Sequence, residues 1–122
     1  MSLPRYKATG QRGQWSARVE GEMLPCVHDF WVKRDEPNVM MYDDPGCDPD
    51  RPKWRKFIAL LQTTKRAVLT QDKVTGKGAA FERKGYLALY EIENLEFGPG
   101  FLRFRFSSTV AELFPREHSW SA

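Results

Sequence analysis

Residues 51–84 hold ten lysines and arginines against two acids, a density of positive charge suited to holding phosphate. The basic groups are Arg51, Lys53, Arg55, Lys56, Lys65, Arg66, Lys73, Lys77, Arg83 and Lys84. The loop Thr75-Gly76-Lys77-Gly78 among them could bring backbone donors close to an anion. A second group falls on one face of a late strand, where Phe101, Arg103 and Arg105 alternate with Leu102, Phe104 and Phe106. An aromatic ring beside two guanidinium groups can stack on bases and hold phosphate. The competing reading is a solvated face with Arg103 paired to Glu96 across a hairpin.

Charge is blocked along the whole chain. Residues 1–19 sum to +4, 20–50 to −7, 51–84 to +8 and 85–122 to −2, within a net charge of +3. Surfaces free of charge-dependent tasks mix their signs. The blocks therefore point either to an anionic polymer or to pairing with an oppositely charged protein, including a second copy of the chain. Named nucleic-acid signatures are absent. Lys84-Gly85-Tyr86 opens like the aromatic signature of RNA-recognition domains, but Leu87 and Ala88 break it, and no finger-spaced Cys and His pairs occur.

Other chemistry is less well supported. Cys26-x-His28 with Cys47 and His118 could supply four zinc ligands, but the spacing matches no common zinc pattern, and buried thiols with a hydrogen-bonded histidine explain the residues. Asp43, Asp44, Asp48 and Asp50 could hold magnesium, yet the prolines and Gly46 among them are turn and capping chemistry. Asp50 followed by Glu82 and Lys84 resembles the two acids and lysine of a metal-dependent nuclease, but Asp50 is better explained as a helix cap than as the end of a strand. Cys26 beside His28 would form a nucleophile and base without an orienting acid in view. Trp15, Phe30, Trp31 and Trp54 could line a pocket for a flat ligand, although core packing is the commoner use of such residues.

These groups need a fold to position them. A chain of 122 residues with 41% hydrophobic content can bury a core, and its negative mean hydropathy argues against membrane residence. Residues 1–13 read as a flexible basic arm, 14–114 as one domain and 115–122 as a loosely held tail. Within the domain, Trp15 to Glu20 alternates as a strand, Met23 to Val32 as an extended run with Pro25 at an edge or bulge, and Val39 to Tyr42 as a short strand. Trp54, Phe57, Ile58 and Leu61 form one face of a helix over about 50–64, capped by Asp48 or Asp50. Ala67 to Thr70 reads as a strand, and Tyr86 to Ile92 as a central strand with Leu87 and Leu89 on one side and Tyr86, Ala88, Tyr90 and Ile92 on the other.

A hairpin follows, with Gly98 to Phe101 as its loop. Phe97 then opposes Leu102, Glu96 opposes Arg103 and Leu95 opposes Phe104, and a bulge is expected at Glu93-Asn94. Residues 110–114 read as one helical turn. The expected architecture is α+β: a curved antiparallel sheet of about five or six strands, with a partly open barrel as one form, packed on one main helix. The expected function is a small non-enzymatic intracellular, cytoplasmic module that needs no cofactor. It binds nucleic acid, single-stranded or by shape, through Arg51, Lys53, Arg55, Lys56, Lys65, Arg66, Lys77, Arg83, Lys84, Phe101, Arg103 and Arg105. The alternatives are a protein-interaction or homodimeric module, and a magnesium-dependent nuclease.

Overall fold

The computed structural model describes residues 3–10, 15–36, 39–74 and 81–114, and for residues 35, 36, 73, 74, 81–84 and 114 the backbone alone. The chain is α+β. Its strands are β1 (Arg5–Gly10), β2 (Ser16–Val19), β3 (Glu22–His28), β4 (Val32–Glu36), β5 (Val39–Asp44), β6 (Arg66–Val74), β7 (Phe81–Gly98) and β8 (Phe101–Phe114). A 3₁₀ turn, Asp29–Trp31, joins β3 to β4, and the helix α1, Pro52–Thr64, precedes β6. The eight strands form one sheet in the order β1-β2-β3-β6-β7-β8-β5-β4, and β1 pairs again with β8. Six strands thus close a ring of hydrogen bonds, while β5 and β4 extend the sheet beyond it. The expected curved sheet on one helix is found, but with eight strands, and two of its joints, β3–β6 and β1–β8, are parallel.

The ring closes because the long strands bend. Register shifts interrupt β6–β7 twice and β7–β8 three times, and each extra residue kinks its strand and adds twist. One shift leaves Leu87 out of the count, since Leu69 opposes Ala88 and Thr70 opposes Tyr86. This corrects the expected parity of the central strand: Tyr86 and Leu89 share one core, Tyr90 and Ile92 pack with the other, and Leu87 is exposed. The expected bulge near Glu93-Asn94 is present, with Asn94 at φ 58°.

Strand alternation divides the interior into two clusters. Ala8, Ala17, Val19, Leu24, Cys26, Val68, Leu89 and Ala111 fill the ring. Val27, Ala67, Leu69, Ile92, Leu102, Phe104 and Phe106 face the other way, against Phe57, Ile58 and Leu61 of α1. Neighbours such as Cys26 and Val27, or Val68 and Leu69, therefore belong to different cores. Small alanines suit the ring, whose interior is narrow.

Turn chemistry sets the joints. Glu20 and Gly21 both have positive φ between Val19 and Glu22, the two-residue primed turn that matches strand twist. Pro99 and Gly100, the latter at φ 84°, connect β7 to β8, the order a type II turn favours. Phe97 opposes Leu102 and Glu96 opposes Arg103 as expected, with Gly98 opposite Phe101 tightening the loop to two residues. Leu95 does not oppose Phe104, because the irregularity between Glu93 and Glu96 shifts the count.

Four further expectations change. Residues 5–10, placed in a flexible arm, are β1, held by β2 on one side and β8 on the other. The run Met23 to Val32 is broken by the 3₁₀ turn, and Pro25 lies just ahead of the first pair with β6, Cys26 with Val68. Residues 110–114 are strand, since Ala111 and Leu113 fill the ring and tertiary pairing overrides local propensity. The helix cap is Arg51, without a side-chain cap bond, followed by Pro52. Asp48 instead accepts the backbone N–H of Asp50 and holds the Arg51 guanidinium at 3.5 Å.

Candidate functional site

Three places could do chemistry: the outer face of α1, the outer face of β8, and a cluster around His28. In α1 the apolar stripe Phe57, Ile58 and Leu61 is drawn into the core, which turns Lys53, Arg55 and Lys56 outward to solvent. Half-buried Trp54 anchors the same end of the helix, edge-on to Trp15 at 5.1 Å and to Phe57 at 5.7 Å, with Trp15 also 5.5 Å from Phe57. No acid occurs between Asp50 and Asp72 in sequence, so the helix carries no neutralising partner of its own. Arg51, held by Asp48, is the only one of its N-terminal cations joined to the acidic loop among the described residues. At the far end Lys65 is exposed in a left-handed cap, and Arg66 pairs with Glu22 at 3.7 Å.

The β8 face is different in kind. Leu102, Phe104 and Phe106 point into the α1 core, so Phe101, Arg103 and Arg105 lie on the side of the sheet away from the helix. The α1 cations and the strand arginines do not form one surface. Arg103 stands between Asp43 of β5 and Glu96 of β7, and Arg105 between Met41 and Glu93. The Arg103 guanidinium lies over the Phe101 ring at 4.7 Å, a cation–π contact. Of the remaining candidates, Lys77 and His118 lie outside the described residues. Arg83 and Lys84 are in the β7 backbone, Arg83 opposite Asp72.

His28 ends β3, and Thr70 and Asp72 follow it on β6, where His28 is in register with Thr70. The His28 Nδ1 contacts the Asp72 carboxylate. Asp72 has a side chain 0% exposed and His28 one 20% exposed. The Thr70 hydroxyl lies 2.6 Å from the same carboxylate and 3.1 Å from the carbonyl of Val27. The Asp72 backbone N–H donates to Asp29 at 3.1 Å, and the His28 N–H donates to the Tyr42 hydroxyl at 3.3 Å. Tyr42 in turn donates to Asp44, at 3.3 Å. Burial, reinforced by the charge of Asp44, pushes the Tyr42 phenol well above its ordinary pKa, so it serves as a neutral donor. Phe30 stacks on the imidazole with centroids 4.9 Å apart.

Together these bonds clasp β3, the 3₁₀ turn, β5 and β6. The orienting acid that sequence reading lacked is Asp72; its spacing of two from Thr70 repeats that of Cys26 and His28, but only the β3–β6 pairing brings the two strands together. Cys26, the would-be nucleophile, is closed inside the ring.

The zinc and magnesium groupings do not assemble among the described residues. Cys26 and Cys47 are buried thiols in different cores, and burial with the nearby Asp44 charge pushes the Cys47 thiol up. Asp43 pairs with Lys33, Asp44 holds the Gly46 N–H, and Asp48 organises the start of α1. Asp50 belongs to the loop that meets the β7–β8 turn, where Gly100 N–H donates to the Cys47 carbonyl. Glu82 and Lys84 lie at the opposite end of β7. Trp15 and Trp54 pack on the α1 core, as does Trp31, while Phe30 stays partly exposed. Among the described residues no helix is long and apolar enough to cross a membrane. Comparison of the chain with protein-family models, with curated proteins and with solved structures gives no match.

Proposed function

We propose that this chain is a small non-enzymatic intracellular module that binds nucleic acid through the outer face of α1. The observation that carries the reading is the exposure of Lys53, Arg55 and Lys56 on a helix that has no acidic residue. These cations also crowd the positive end of the helix dipole, a placement that costs on the order of 0.3–1 kcal/mol per charge when nothing offsets it. A phosphate backbone offsets it and gains counterion release as well. Trp54 stiffens the base of the patch. Lys65 and Arg66 extend the positive charge along the chain, and Arg103 and Arg105 contribute less because acids flank them.

The test is fluorescence anisotropy with labelled single-stranded and duplex DNA and RNA across a salt series. Wild-type affinity should fall steeply with salt. The K53E/R55E/K56E variant should bind at least ~10-fold more weakly, with a salt slope smaller by about three, one for each lost phosphate contact. Binding that ignores salt, or that survives this triple reversal, refutes the assignment. A second reading, a protein-interaction module, is favoured by the mixed charges of the β8 face. It predicts no nucleic-acid binding even at low salt.

A further inference from the structure

The cations of α1 occupy only its ends. Lys53, Arg55 and Lys56 are exposed in the first turns and Lys65 at the left-handed cap, but the exposed residues between them, Ala59, Gln62 and Thr63, are short and uncharged. A helix that only lay along a phosphate backbone would gain from cations over its whole length. The middle of this one offers a different chemistry.

Helix geometry arranges that middle. With Phe57, Ile58 and Leu61 buried, the line farthest from the core runs through Lys56, Ala59 and Thr63, at spacings of three and four residues. Gln62 lies beside this line, about one turn beyond Ala59. The ridge is slender at its centre because the Ala59 side chain ends at Cβ. The helix has 13 residues, about 20 Å at 1.5 Å per residue, and only the stripe of Phe57, Ile58 and Leu61 is drawn into the core.

We propose, resting on the reading that α1 binds nucleic acid, that its outer face enters the major groove of B-form duplex DNA and reads A·T pairs at its middle. That groove is about 12 Å wide and admits a helix, whereas the major groove of duplex RNA is deep and too narrow to be read. Lys53, Arg55 and Lys56 hold phosphates near one end of the helix and Lys65 holds them near the other. Between them, the Gln62 carboxamide matches the N6 donor and N7 acceptor of adenine. Ala59 and the Thr63 methyl group supply the apolar contact that the thymine methyl takes. A single strand offers neither the groove nor its two phosphate walls.

Anisotropy with four probes of equal length tests the proposal: an alternating A·T duplex DNA, the same duplex with 7-deazaadenine for adenine, the corresponding duplex RNA, and oligothymidine. Deazaadenine removes the N7 acceptor from the major groove and leaves the minor groove and phosphates unchanged. Wild type should bind the A·T duplex at least ~10-fold more tightly than duplex RNA or oligothymidine, and deazaadenine should cost about fivefold. The Q62A variant should be weaker on the A·T duplex and indifferent to deazaadenine, with the wild-type salt slope, because no phosphate contact is lost. K53E/R55E/K56E should weaken binding to every probe. If it does, but wild type binds duplex RNA or the deazaadenine duplex as tightly as the A·T duplex, or Q62A still responds to deazaadenine, the groove assignment fails and the phosphate reading stands. If the triple variant binds as wild type does, both fail.

Discussion

The exposed faces of α1 and β8 both carry regularly spaced cations, yet only on α1 do those cations stand without acids beside them. On a helix the neighbours of a residue are three and four positions away, so the sign of the patch is contained in one short segment. On a sheet the neighbours come from other strands. Arg103 meets Asp43 from sixty residues earlier and Glu96 from the preceding strand. A run of arginines read along β8 therefore misstates the charge that a partner would meet.

The contrast can be tested by how much each residue matters. The largest effect belongs to the inward side of β8. Phe104 is 0% exposed and stacks with Tyr42 at 5.0 Å, so Phe104→Ala should lower unfolding stability by about 3–5 kcal/mol in urea titration. Arg103→Ala, one residue away, should stay within about 0.5 kcal/mol of wild type. Equal losses would break the two-sided account of this strand.

The next effect is alkaline. Folding raises the Tyr42 pKa, so the folded state holds its proton more tightly than the unfolded chain. The stability this confers is intact below the ordinary value of 10.0 and declines as pH rises beyond it. Cys47 has the same sign, with its decline starting from 9.0. Tyr42→Phe should cost about 1 kcal/mol near neutrality by removing the hydroxyl between His28 and Asp44, and should flatten the alkaline decline. An unchanged slope would remove Tyr42 as its cause.

The smallest effect sharpens the charge comparison itself. If acids are what quiet the β8 arginines, E93Q/E96Q should raise nucleic-acid affinity about twofold at low salt, and adding R103A/R105A should erase the gain. No change in affinity would confine binding to α1.

Local features were legible in the chain and distant ones were not. The helix followed from the spacing of Trp54, Phe57, Ile58 and Leu61, and the hairpin register from the turn between Phe97 and Leu102. Both are decided within a few residues. His28 and Asp72 are 44 positions apart and meet only because β3 and β6 run parallel. Residues 5–10, within the arm expected over 1–13, are strand for a related reason: Lys7, Ala8 and Thr9 show little apolar period, and β1 owes its order to strands on both sides. The helix expected at 110–114 lost to the same closure.

That closure also bears on when the fold can be completed. As the chain is synthesised, β1 is the first described strand to emerge and can join β2 at once. Its other edge must wait for β8, the last of the described strands. Parallel pairing between such remote segments is slow to form, so a growing chain carries an exposed β1 edge until β8 has been made. The ring is thus a late event, and the interval before it is when this protein is most open to pairing with the wrong strand.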